Sequence, residues 1–161
     1  MALWATQGTV KSDSFALEIA KHAPKVKLYQ QACPMLVPLV EAGELAGDGL
    51  DHFITKYWRQ TVWNSPDFDV LLLACTHYPL ILPRIRALVP QRVNILTQGE
   101  LVAPSLEDYL KRHQEIDQKL SRGGGCRYLT TDQCDYFDGL AEGFMGGPIA
   151  SERAEIDGSG P

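Results

Sequence analysis

Residues 68–83 read FDVLLLACTHYPLILP, an unbroken apolar run that stops at Cys75, Thr76 and His77 and resumes behind Pro79. A Val/Leu run of this length suits a strand covered on both faces, as in a parallel sheet. Pro79 suits the first turn of a following helix, because its missing N–H would have no intrahelical partner there. The order is strand, reactive loop, helix, and in open α/β sheets ligands bind beyond the carboxyl ends of strands. Cys75 therefore stands where a thiolate works: helix N-termini favour anions, and an imidazole two residues away carries protons near neutral pH. The same pattern also fits a small buried hydrophobe followed by a structural histidine, and geometry separates the two.

Outward from this stretch the pattern alternates. Apolar residues begin almost at Met1, so the chain looks cut at its start, and Gly8 and Thr9 read as a turn. Ser12 is a cap for a helix that Pro24 stops, and Val26 to Gln30 reads as a second strand. In MLVPLVEAG, Pro38 limits a helix that ends at Gly43. Leu50, Phe53, Ile54, Tyr57, Trp58 and Val62 recur at helical spacing between Gly49 and Asn64, a stripe read as core packing rather than a ligand platform. Pro79 to Val89 reads as a second amphipathic helix and Val93 to Thr97 as a strand. This order predicts an α/β fold with an open, mostly parallel sheet flanked by helices.

Beyond Gly99 a long charged helix is expected over Glu100 to Leu120, then a flexible joint at Ser121 to Gly125 whose glycines have the wrong spacing for a phosphate loop. Arg127 to Thr130 reads as a strand, and Thr131 or Asp132 as the cap of a helix running to about Phe144. The closing Gly-Ser-Gly-Pro reads as a disordered tail.

The 161 residues suffice for one sizeable core, with 45% hydrophobic content ordinary for a globular chain. A net charge of −5 with scattered Lys and Arg leaves no footprint for nucleic acid, so a small-molecule partner is expected. Apolar runs are strand-length, which argues against a membrane span. Lys11, Asp13 and Glu18 interrupt any secretory core, so cytoplasmic residence is the expectation. Four cysteines, Cys33, Cys75, Cys126 and Cys134, lack both an export signal and C-x-x-C pairing, and free thiols are expected. Only Cys75 and His77 have ligand-like proximity, so no metal is expected. Cys33, between Ala32 and Pro34, reads as packing.

Three segments, ATQGTVKS at Ala5–Ser12, ACPMLVPLVEAG at Ala32–Gly43 and ACTHYPLI at Ala74–Ile81, resemble in order and spacing the second half of glutamate racemase. ILTQGELVAPSLEDYLKRH from Ile95 and YLTTD from Tyr128 resemble that family's C-terminal region, so the likeness covers nearly the whole chain. The resemblance implies two pseudo-symmetric α/β domains around glutamate, with two cysteines on opposite faces of its α-carbon exchanging protons without a cofactor. It makes Cys75 the second of that pair, His77 its proton carrier and Glu41 the carboxylate that orients His77. Thr76, Thr6 and Thr9 become the hydroxyls that hold the substrate carboxylates.

It also implies most of the second domain at residues 1–98, a segment returning to the first domain at 99–157, and a tail at 158–161. The family's Asp-Ser-Gly loop and Ala-Cys-Asn-Thr segment, which bears the partner cysteine, have no counterpart here. Neither Cys126 nor Cys134 has the Asn-Thr neighbours of that cysteine. The expected function is therefore that of a glutamate racemase, supplying D-glutamate for peptidoglycan, in a truncated chain that is inactive or nearly so on its own. Exposed apolar helix faces leave room for a homodimer. The alternatives are a non-catalytic binding remnant of the fold and an aspartate or hydantoin racemase relative; the THYPL continuation after Cys75 favours the glutamate enzymes.

Overall fold

The computed structural model describes residues 1–156. The expected tail at 158–161 lies outside them. The chain divides into two compact units, Met1–Arg112 and the residues from His113 onward.

In the first unit, β1 (Ala2–Ala5), β2 (Tyr29–Ala32), β3 (Val70–Leu73) and β4 (Asn94–Thr97) form one sheet in the order β2-β1-β3-β4. Every pairing is parallel, with Trp4 opposite both Gln31 and Leu73, and Leu73 opposite Thr97. Strand β1 alternates faces with period two. Ala2 and Trp4 join Leu36, Ile54, Leu71, Leu73, Tyr78 and Ile85 on one side, while Leu3 and Ala5 meet Val10, Phe15 and Leu28 on the other. Both faces are covered, which is why the strands carry few polar residues. The first face is covered by α3 (Leu36–Glu41), α4 (Asp48–Asn64) and α5 (Leu82–Leu88), and the second by α1 (Gln7–Lys11) and α2 (Ser14–His22).

Several expectations shift. Gly8 and Thr9 continue a helix rather than turn, because Thr6 caps α1 by accepting the Thr9 N–H at 3.3 Å. Ser12 closes α1, and α2 follows Asp13, whose φ is 52°. The second strand begins only at Tyr29, where register with Ala2 starts. The segment from Pro79 splits into a 3-10 turn, Tyr78–Ile81, and α5, because Pro79 and Pro83 each occupy a first turn. Helix α3 ends as expected, at a Gly43 with φ 78°. The stripe on α4 is core: Leu50, Ile54 and Tyr57 are buried, and Phe53, Trp58 and Val62 pack against them.

Helix α6 (Gln98–Arg112), packed with β4, contains Pro104 and stops eight residues before Leu120; His113 has φ −119° and ψ 68°, and α7 (Gln114–Asp117) is a separate turn. In the second unit α8 (Cys134–Met145) starts later than expected and has no side-chain cap bond. Thr130 and Asp132 instead accept the N–H groups of Asp132 and Gln133, shaping the entry turn. Strand β5 (Tyr128–Thr130) pairs in parallel with β6 (Ser151–Arg153). Strand β6 carries no apolar run, and nothing in the sequence marks it.

Candidate active site

The sheet order places the topological switch between β1 and β3, since the chain leaves β1 toward β2 and later returns to the other side of β1. A crevice at the carboxyl ends of such a strand pair is the expected ligand position. The register carries both segments there: the Ala74 N–H bonds the Trp4 carbonyl at 2.8 Å and the Cys33 N–H bonds the Ala5 carbonyl at 2.9 Å. Thr6, Cys33 and Cys75 thus leave the same edge of the sheet from neighbouring strands.

Cys75 and His77 meet, Sγ to Nδ1, at 3.8 Å. His77 Nε2 lies 3.2 Å from Glu41 Oε1, which reaches over from the C-terminal turn of α3. A carboxylate only accepts, so Nε2 carries the hydrogen and, in the neutral ring, Nδ1 presents its lone pair to the thiol. Thiol, imidazole and carboxylate thus stand in line, each in contact with the next. Thr6 and Thr9 come together as well, their hydroxyls 3.0 Å apart on the first turn of α1. Thr76 is exposed on the loop between Cys75 and His77. The sequence assignments thus fall into two contacting groups, Cys75–His77–Glu41 and Thr6–Thr9, with Thr76 beside the first.

Burial pushes the Cys75 thiol above its ordinary pKa of 9.0; the His77 and Tyr78 N–H groups pull it down and Glu41 pushes it up. Desolvation of the thiolate outweighs both donors. Cys33 is fully buried, its thiol pushed up further by the same cause and then by Cys75.

Two tyrosines escaped the sequence reading. Tyr78, buried next to His77, donates its hydroxyl to the Cys33 carbonyl at 3.4 Å, and the Tyr57 hydroxyl accepts the Met35 N–H at 3.2 Å. Both tie down the loop that launches α3, and hence the position of Glu41. Their only signal was a phenol among core positions, where an apolar ring alone would fill the space. Two hollows lie away from these residues. One of about 500 Å3 is lined by Arg86, Val89, Pro90, Arg92 and Asn94, at the amino end of β4, and one of about 560 Å3 runs along α4 past Asp48, His52 and Arg59. The chemistry, not the size of the hollow, locates the site. Among the described residues no cluster of three or more His, Cys, Asp or Glu side chains is placed to hold a metal ion, and no helix is long and apolar enough to cross a membrane.

The fold is thus a parallel α/β sheet with a cysteine, a histidine and a glutamate in contact at its switch point. No family model matches the chain, but individual proteins do. It is 36% identical over 155 residues to a glutamate racemase of Paracoccus denitrificans, covering 96% of this chain and 55% of that protein. It is 33% identical over 158 residues to one of a Caulobacter species, covering 96% and 54%. Glutamate racemase from Thermus thermophilus in complex with beta-chloro-D-alanine superposes with a TM-score of 0.78 at 27% identity, over 96% of this chain and 56% of that one. The Francisella tularensis enzyme in complex with D-glutamate superposes at 0.82 with 23% identity, over 97% and 58%, a likeness of fold. Along 96% of its length the chain is similar to glutamate racemases, and it spans about half the length of the relatives it matches.

Proposed function

We propose that this chain carries one half of the catalytic apparatus of a glutamate racemase. Cys75 takes or returns the α-proton on one face of glutamate. His77 receives the thiol proton at Nδ1, and Glu41 holds the ring in the tautomer that allows it. Thr6, Thr9 and Thr76 hold the substrate carboxylates; hydroxyl and backbone donors suit a dianion better than further acidic groups would. The second base, on the opposite face, comes from the part of the relatives that this chain does not span, and that missing half is the partner it requires. Residues 99–157 form the segment that returns to that first domain. No cofactor takes part. The product, D-glutamate, serves peptidoglycan synthesis in the cytoplasm.

The observation that supports this reading most is the Cys75–His77–Glu41 relay at the switch point of a chain whose relatives are glutamate racemases. Its test is proton NMR of L- and D-glutamate in deuterated buffer. With the chain alone, interconversion is absent or nearly so, because one base cannot return a proton to the opposite face. Mixed with a polypeptide corresponding to the relatives' remaining half, the α-proton is lost and the enantiomers interconvert, and Cys75→Ala abolishes both. Interconversion by the chain alone, or by the mixture with Cys75→Ala, sinks the proposal.

A further inference from the structure

We infer that the Cys75–His77–Glu41 array also makes Cys75 a nucleophile, giving this chain an acyl-transfer activity toward small activated esters that needs no second half. The geometry supports this activity independently of the racemase reading. A nucleophile in contact with a base, itself oriented by a third group, is the signature of covalent catalysis. Here Sγ faces Nδ1 at 3.8 Å and Nε2 faces a carboxylate at 3.2 Å. The Tyr78 N–H bonds the Cys75 carbonyl at 3.2 Å, fixing the turn that presents the sulfur to the imidazole. The thiol is partly exposed and Thr76 beside it is exposed, so a short acyl group reaches it.

The step balances. The Sγ proton passes to His77 Nδ1 as sulfur bonds to the carbonyl carbon, and the ester C–O bond breaks with its electron pair leaving on the alkoxide or phenolate, which takes that proton from the imidazolium and departs as the alcohol or phenol. The acyl group is then held as a thioester on Cys75. Water attacks it with His77 as base, the carboxylic acid departs, and the thiolate takes back the proton from the imidazolium. Removal of a proton from carbon requires opposed bases to change configuration; acyl transfer requires only this one face.

The probe is p-nitrophenyl acetate with the purified chain, followed by phenolate release and by mass mapping of acetylated cysteines. Cys126 is exposed and Cys134 partly so, and they serve as internal standards. An unassisted thiol as buried as Cys75 reacts more slowly than exposed Cys126, whereas an assisted one reacts faster. The expected result is acetylation of Cys75 ahead of Cys126 and Cys134, slowed about tenfold or more in His77→Asn. Glu41→Gln, at a side chain 48% exposed and so without consequence for folding, slows it several-fold. Acetylation of Cys126 at a rate equal to or above that of Cys75, or an unchanged rate in Glu41→Gln, overturns the inference. Absence of glutamate exchange in the mixture with the remaining half, with acetylation of Cys75 in the chain alone intact, would sink the racemase proposal alone, and the converse result this one alone.

Discussion

Cys75 and Cys33 illustrate how position decides what a thiol does. Both follow strands at the same sheet edge, yet Cys33 is fully buried while Cys75 is partly exposed and faces an imidazole. Burial raises both thiols, and it raises the Tyr57 and Tyr78 phenols too. A group whose pKa is higher when folded keeps its proton in the folded chain after the unfolded chain has released it. Its contribution to stability is whole below the unfolded value and is lost as pH rises above it, here from about 9, at up to about 1.4 kcal/mol per pH unit for the buried Cys33 and less for the part-exposed Cys75, where solvent screens the effect. The urea midpoint is therefore expected to fall between neutrality and about pH 10, and Cys33→Ala to flatten that fall. An equal fall in the variant would show that Cys33 is not among the groups responsible.

Helix α4 owes its seating to more than its apolar stripe. Thr61, fully buried, accepts the Trp4 indole N–H at 2.9 Å and donates to the Tyr57 carbonyl at 2.7 Å, so one hydroxyl joins β1 to α4. Four residues earlier the Tyr57 hydroxyl fastens the start of α3, and α3 delivers Glu41 to His77. Thr61→Val keeps the shape but leaves a buried N–H unpaired, at a cost of about 1–3 kcal/mol. Urea unfolding followed by tryptophan fluorescence measures it, and an unchanged midpoint would remove Thr61 from the argument. The Arg84–Asp51 ion pair secures α5 to α4, so the three helices of this face hold the relay as one layer.

For the molecule as a whole, apolar surface is the outstanding feature. Helix α6 exposes Leu101, Val102 (60%) and Leu106 (53%), and in the second unit Tyr136, Met145 and Ile156 are exposed. Patches of this kind on an isolated chain favour association. Light scattering is expected to show oligomers at tens of micromolar, and Val102→Glu with Leu106→Glu to shift them toward monomer. A monodisperse monomer without substitution would mean that the α6 face needs no cover. The relatives are nearly twice as long as this chain, and the proposed missing half is the natural cover.

The parallel sheet, the α4 stripe and the strand that delivers Cys75 were legible in the order of residues, because a long apolar run, a helical period and a proline each constrain the backbone within a few residues. Cys75, Thr76 and His77 are neighbours along the chain, and their loop was legible for the same reason. Helix boundaries set by competition were not: Pro79 and Pro83 divide one expected helix, and Thr6 turns an expected bend into α1. Nor was β6, whose Ser-Glu-Arg sequence gains its strand from pairing with β5. Glu41 was placed beside His77 by resemblance alone, since 36 positions separate them and only the packing of α3 brings them to 3.2 Å. The direction of the Cys75 pKa depended on folding in the same way. Local pattern records what a residue prefers, whereas desolvation is the sum of everything packed around it.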